Sequence, residues 1–283
     1  MRPVIQLLGD SFVYSCAFDK AFTYEQFVPE HMLVYQISGQ THIYHQRGEM
    51  VLKEGQLLLA RRNQFAKSIK TPAEGKEYKC ISVVLSTGRL RQYALDNGIA
   101  GEQKYTGKKN ILLERDVFLK GYFLSLSPYV EHWKKVSKKL VSMKVNEAIE
   151  LLLHLRPDLR SFLFDFADPH KDDLEAFMLK NFHYNAPLES FAKLSGRSLT
   201  GFKRDFALTF KTSPSKWLKD RRLSEAFYLI KQKSRKPQDI YLELGFENLS
   251  HFYTSFKQKY GMTPAEIKTK QKQNQEGIKP KTK

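Results

Sequence analysis

Short runs rich in apolar and β-forming residues fill the first third of the chain. HMLVYQI (31–37) is followed by a turn at SGQ, and THIYHQ (41–46) alternates apolar with polar positions. A second turn at RGE leads to MVL, then KEG, then QLLLA (56–60), and EYKCISVVLS (77–86) is a further strand. Short strands at near-regular spacing with glycine at the joints predict an antiparallel sandwich or small barrel over residues of about 10–87. From about residue 88 the spacing turns helical. ILLERDVFLKGYFLSL (111–126) places Ile111, Phe118 and Tyr122 on one stripe, and LVSMKVNEAIELLLHL (140–155) is a second helix that Pro157 ends for want of an amide hydrogen. The apolar segment LRSFLFDF then runs into ADPHKDD, and the polar Asp168-Pro169 junction marks the expected domain boundary.

Beyond that boundary one pattern occurs twice. RSLTGFKRDFALTFKTSP carries Phe202, Phe206, Phe210 and Pro214; FENLSHFYTSFKQKYGMTP carries Phe252, Phe256, Tyr260 and Pro264. Aromatics four apart share one face of a helix. LESFAKLSG with Gly196 precedes the first copy, and PQDIYLELG with Gly245 precedes the second. Helix, glycine-containing turn and amphipathic helix make the helix-turn-helix plan. The glycines lie 49 apart and the aromatics 50, so the second turn holds one extra residue. Ser213-Pro214 and Thr263-Pro264 look like N-caps followed by proline at the first helical position, and Thr263 with Glu266 fits a capping box. Between the copies, residues 213–233 read as one long helix whose Leu223, Ala226, Phe227 and Ile230 would pack on both flanking units.

Composition sharpens the picture. The 283 residues carry a net charge of +17, of which +6 falls in residues 1–170 and +11 in residues 171–283. A basic C-terminal third points to a polyanion, nucleic acid first and an anionic membrane second, against the plainer reading of a solvated basic surface. Cys16 and Cys80 form no CxxC pair and suit a reducing compartment, as small buried hydrophobes. The chain opens without a signal-peptide pattern, and its longest apolar runs fall far short of a membrane span, which predicts a cytoplasmic soluble protein. The tail from Lys268 has almost no apolar side chains and is expected to be disordered.

Residues 174–267 resemble the C-terminal DNA-binding domain of the AraC/XylS transcription regulators. GFENLSHFYTSFKQKYGMTPAEIK carries that family's most specific signature, and RRLSEA in the central helix matches as well. Tyr241 departs from the pattern, where members usually have alanine. The resemblance implies an α+β chain with three parts: a cupin-like sensory and dimerisation domain at 1–169, a DNA-binding domain with two helix-turn-helix units at 170–267, and a basic tail at 268–283. It implies that the second helix of each unit enters a major groove of double-stranded DNA, so that one monomer reads successive grooves about 34 Å apart. Base-reading candidates are Ser198, Thr200, Gly201, Lys203 and Arg204 in the first unit, and Asn248, Ser250, His251, Tyr253 and Thr254 in the second. Arg204 suits guanine and Asn248 adenine; Ser198 and Asn248 are equally N-cap residues, the stronger reading for both. Lys203, Lys211, Lys257 and Lys259 are phosphate contacts or plain solvated lysines. RNA polymerase is an expected partner.

The N-terminal half resembles, over a shorter run, the cupin-like sensory domains joined to this family's DNA-binding domain, including that of the ExsA-type activators. The likeness rests on MLVYQISGQTHIYH and VLKEGQLLLARRNQ. It implies a barrel that meets a small-molecule effector or a protein partner, with a homodimer through helices 111–126 and 140–155; intradomain core is the other reading of those stripes. A metal-binding cupin protein or enzyme with an accessory basic domain is the alternative. His42, His45 and Glu49 invite it, with His31 nearby. Strand residues three apart face opposite ways, however, so His42 and His45 should not share a site. No GxSxG, GxGxxG, P-loop or HExxH occurs, and no catalytic residue, metal or cofactor is expected.

Overall fold

The structure, a computed structural model, describes residues 4–8, 10–17, 22–45, 48–99, 104–167 and 173–267. It divides into two compact units, Met1–Asp168 and Pro169–Lys283. The tail beyond residue 267 and the Asp168-Pro169 junction itself lie outside the described residues.

The first unit begins with nine strands: β1 (Val4–Leu8), β2 (Phe12–Ala17), β3 (Phe22–Val28), β4 (His31–Ser38), β5 (Gln40–His45), β6 (Gly48–Lys53), β7 (Leu57–Ala60), β8 (Gln64–Thr71) and β9 (Tyr78–Leu85). Helix α1 (Thr87–Asp96), strand β10 (Asn110–Leu113) and helices α2 (Val117–Ser125), α3 (Ser127–Glu131), α4 (Lys138–Leu155) and α5 (Arg160–Phe164) follow. The strands make two antiparallel sheets, ordered β1-β2-β9-β4-β7-β10 and β3-β8-β5-β6.

Strand alternation sorts the side chains. One face of the larger sheet, with Phe12, Leu33, Leu57, Leu59, Ile81, Val83 and Leu85, packs on Leu90, Tyr93, Leu119, Tyr122, Ile149, Leu152 and Phe162 of the helical segments. This is the main core of the unit. From the opposite face, Val34 and Leu58 meet Ile43 and Leu52 of the smaller sheet. The space between the sheets also holds polar groups. The Thr41 hydroxyl donates to Gln36 Oε1 at 2.7 Å and lies 2.9 Å from the Tyr78 hydroxyl. Lys70 Nζ donates to Ser15 Oγ at 3.1 Å, and burial pushes the Lys70 ammonium below its ordinary pKa.

Two sequence expectations need correction here. Residues 111–126 are not one helix. Ile111 belongs to β10, which pairs with β7 in the register Ile111↔Leu59 and Leu113↔Leu57. The helical stripe through Ile111 was a coincidence of apolar spacing, because the unpaired side of β7 offers ILL a backbone ladder as well as burial. Helix α2 starts only at Val117, where the Asp116 carboxylate accepts from the amides of Phe118 and Leu119 at 2.8 and 2.9 Å. The strand region also starts earlier than residue 10, with β1, and includes β8 on the polar-rich run QFAKSIKT.

Asp165 ties the end of the helical segment to the sheet. It accepts from the amides of Tyr105 and Ala167, both at 3.0 Å, and from Arg61 Nη2 at 2.5 Å. Arg62 Nη2 donates to the carbonyls of Asp165 and Ala167. Burial alone would raise the Asp165 pKa; these amide and guanidinium hydrogen bonds outweigh it and hold the carboxyl below its ordinary value.

The second unit is helical: α6 (Leu174–Asn181), α7 (Leu188–Leu194), α8 (Leu199–Phe210), α9 (Pro214–Lys233), α10 (Pro237–Ile240) and α11 (Leu249–Tyr260). Helix α10 is shorter than PQDIYLELG suggests, with residues 241–245 completing the segment as turns.

Candidate nucleic-acid interface

The two copies in the sequence fold into two objects of matching local structure. Each first helix ends in a Schellman arrangement. The Arg197 amide reaches Ala192 O at 2.9 Å and the Gly196 amide reaches Lys193 O at 3.1 Å. In the second copy the Phe246 amide reaches Tyr241 O at 3.0 Å and the Gly245 amide reaches Leu242 O at 3.1 Å. Gly196 and Gly245 hold φ of 69° and 77°, the left-handed conformation that such an ending requires. Each second helix then starts on a side-chain cap. Ser198 Oγ accepts from the Gly201 amide at 3.1 Å, and Asn248 Oδ1 accepts from the His251 amide at 2.8 Å. One residue, Arg197, separates glycine from cap in the first copy, and two, Phe246 and Glu247, in the second. That is the extra residue implied by the offsets.

Both second helices bury their aromatic stripe on α9. Phe206 and Phe210 lie 5.8 and 4.8 Å from the Trp217 ring. Phe256 and Tyr260 lie 6.4 and 4.7 Å from the Phe227 ring. Leu223, Ala226 and Ile230 are fully buried, as their spacing predicts. Trp217 was missed in the sequence; its place ten residues before Phe227 on the same helix was the available signal. Arg222, in RRLSEA, holds the second unit's turn against the loop after α6. Its guanidinium donates to the carbonyls of Phe182, Tyr184 and Gly245 at 2.8, 2.7 and 3.1 Å. Beyond α11, Thr263 and Glu266 form the expected capping box, each side chain bonding the other's amide at 3.3 and 2.6 Å.

Opposite the buried stripes lie the candidate readers. Thr200, Lys203 and Arg204 are exposed on α8, and Ser250, His251, Thr254 and Lys257 are exposed on α11. Gly201 and Tyr253 are half-buried. Ser198 and Asn248 sit at the rims of these faces as caps. Lys211 occupies a left-handed C-cap with φ of 55°. Lys259 turns back onto α9, donating to Asp220 O at 2.7 Å and Ser224 Oγ at 3.1 Å, so its ammonium is anchored within the fold.

The histidines of the first unit are dispersed. His31 lies in the larger sheet, its ring 5.1 Å from the Phe162 ring and tilted by 43° to it, and accepts from the Arg62 amide at 3.3 Å. Burial, with Arg62 and Arg61 nearby, pushes its pKa down to about 3. His42 lies in the smaller sheet and bonds Glu49. The side chain of His45 lies outside the described residues. Among the described residues, no group of three or more histidines, cysteines, aspartates or glutamates could hold a metal ion. No described helix is long and apolar enough to cross a membrane.

A two-sheet unit followed by twin helix-turn-helix motifs on one shared helix defines a DNA-binding transcription regulator with an N-terminal regulatory domain. The family described as a helix-turn-helix domain matches residues 191–270, and the ExsA N-terminal regulatory domain matches residues 31–162. The chain is 26% identical to the HTH-type transcriptional regulator ExsA of Pseudomonas aeruginosa over 91% of its own length and 93% of that protein's. It is 28% identical to the thermoregulatory protein LcrF of Yersinia pestis over 83% and 84% of the two chains. Among solved structures, apo ToxT K231A from Vibrio cholerae aligns over 92% of this chain and 98% of its own at 13% identity, with a TM-score of 0.41. These matches support an AraC-family transcription regulator.

Proposed function

We propose that the protein activates transcription by binding a directional, bipartite DNA site with α8 and α11 in successive major grooves. The observation that carries this reading is the pair of matched, capped helices docked on the single rod α9. A rigid frame with two readers needs no two-fold axis to specify a site. Thr200, Lys203 and Arg204 read or position one half; Ser250, His251, Tyr253, Thr254 and Lys257 serve the other. Ser198, Gly201 and Asn248 shape the helix starts, and Lys211 contacts phosphate. Lys259, held by α9, approaches phosphate only if it leaves Asp220.

In this reading residues 1–169 are the regulatory domain, residues 170–267 the DNA-binding domain and residues 268–283 a basic tail. The two-sheet unit takes a small molecule or a protein partner, and bound activator recruits RNA polymerase in the cytoplasm. Homodimerisation uses segments 111–126 and 140–155, through their helices α2 and α4. Support comes from Val117, Phe118 and Leu124 of α2, which are 73%, 59% and 62% exposed, and from Leu140 and Met143 of α4, also exposed. Apolar side chains gathered in water favour a partner surface.

Footprinting on promoter fragments tests the core of the proposal. Protection of two grooves on one face of the duplex, abolished by scrambling either half, is expected. Equal affinity for every duplex would overturn it. Phe118→Glu is expected to shift the sedimentation coefficient to that of a monomer, and an unchanged value would remove the dimer surface.

A further inference from the structure

We propose that Asp205 is a positioning residue that aims Arg204 at guanine, making the first helix-turn-helix the guanine-reading half of the site. The inference rests on the reading of α8 as a recognition helix. Arg204 alone is a poorly fixed reader: its side chain is 71% exposed and has many rotamers to lose. Asp205 removes that freedom. Its Oδ1 accepts from Arg204 Nε at 3.2 Å and Nη2 at 3.0 Å. Its Oδ2 accepts from Arg197 Nε at 3.1 Å. Arg197 is 8% exposed and donates through Nη1 to Ser195 O at 2.7 Å in the turn before α8. The chain of bonds therefore runs from a buried carbonyl through two side chains to the exposed guanidinium.

The donor inventory of that guanidinium points to one base. With Nε and one Nη2 hydrogen directed at Asp205, both Nη1 hydrogens and the second Nη2 hydrogen face outward. This end-on pair of nitrogens matches O6 and N7 of guanine in the major groove. The carboxylate also repels the phosphate backbone, which works against Arg204 as a mere phosphate contact. The second unit lacks every member of the relay. Fifty residues on from Arg204 and Asp205 stand Thr254 and Ser255, and the position after the turn glycine is Phe246, buried edge-on against Phe252 at 5.1 Å. The same turn carries a charged tether in one copy and an apolar plug in the other.

Selection of the full-length protein on a randomised duplex library, followed by titration on the best site and its single-base variants, tests this. Wild type is expected to prefer guanine at one position of the first half by about 5- to 150-fold. Arg204→Ala and Arg204→Lys should erase that preference, the lysine variant retaining affinity for scrambled DNA. Asp205→Asn should bring the preference close to unity. The preference is a ratio of affinities on one preparation and does not depend on the folded fraction. If Asp205→Asn fails to fold, Arg197→Gln loosens the same carboxylate from its far side and should lower the ratio at least several-fold. An undiminished guanine preference in Asp205→Asn, or in Arg197→Gln if that must stand in, overturns the positioning role. Arg204→Ala weakening all duplexes equally makes Arg204 a phosphate contact and overturns the relay. A wild-type protein with no preferred sequence removes the DNA-reading assignment itself, a distinct outcome.

Discussion

Single residues carry two sharp consequences. A Cβ at Gly245 would lie 2.6 Å from His183 O and 3.0 Å from the Arg222 guanidinium carbon, at a φ of 77°. Gly245→Ala is therefore expected to destabilise the second unit by more than about 1 kcal/mol, read as a lower urea midpoint. His31 carries a pH dependence. Its folded pKa lies near 3, below the ordinary 6.5, so the native fold keeps it neutral where the unfolded chain takes a proton. Its contribution is complete above about pH 6.5 and is lost as pH falls towards 3, at up to about 1.4 kcal/mol per pH unit. His31→Asn keeps an acceptor for the Arg62 amide and should flatten the acid side of the stability profile. An unchanged slope in urea titrations between pH 7 and pH 4 would refute this.

Among the elements, α9 decides most. Trp217 supports α8 and Phe227 supports α11, so damage to either aromatic should fall on one half of the DNA site. Trp217→Ala is expected to cost about 2–4 kcal/mol of stability, since the ring is only half-buried, and to weaken protection of the first half-site more than the second. Phe227→Ala should show the reverse. Equal loss at both halves in footprints would show that α9 does not partition its support. The elements also mark where pattern and fold diverge. Helices α4 and α9, long and strongly periodic, were legible in the sequence. Strand β10 was not, because three apolar residues suit a strand or a helix start until a partner edge is known. The short α10 was not either: its ending is set at Gly245, and the turns at 241–245 still bury Leu244.

For the whole molecule, the uneven charge sets the physical character of binding. Association with DNA should weaken steeply with salt, the logarithm of affinity falling by about 0.9 per phosphate contact per logarithm of salt. Lys257→Ala is expected to reduce that slope by about 1 and to weaken all sequences alike. A sequence-dependent loss would mark Lys257 as a base reader instead. Asp165 is the equivalent point for the regulatory unit. Asp165→Ala would leave Arg61, whose side chain is 14% exposed, without that carboxylate and is expected to cost about 3 kcal/mol, measured by thermal unfolding.

Much of this was present in the one-dimensional pattern. Two glycines, two aromatic triplets and two Ser/Thr-Pro helix starts at offsets of 49 and 50 residues determined a tandem helix-turn-helix, because turn geometry and helix periodicity are local and depend on few residues. Strand alternation likewise announced an antiparallel sheet unit. Tertiary structure alone decided which stretch of ILL became a strand, that Lys259 is held by α9, and that Arg197, Asp205 and Arg204 join in one chain of bonds. Those outcomes depend on partners brought close by folding: Lys259 and Asp220 are 39 positions apart and Arg197 and Asp205 eight, separations that leave no period to read.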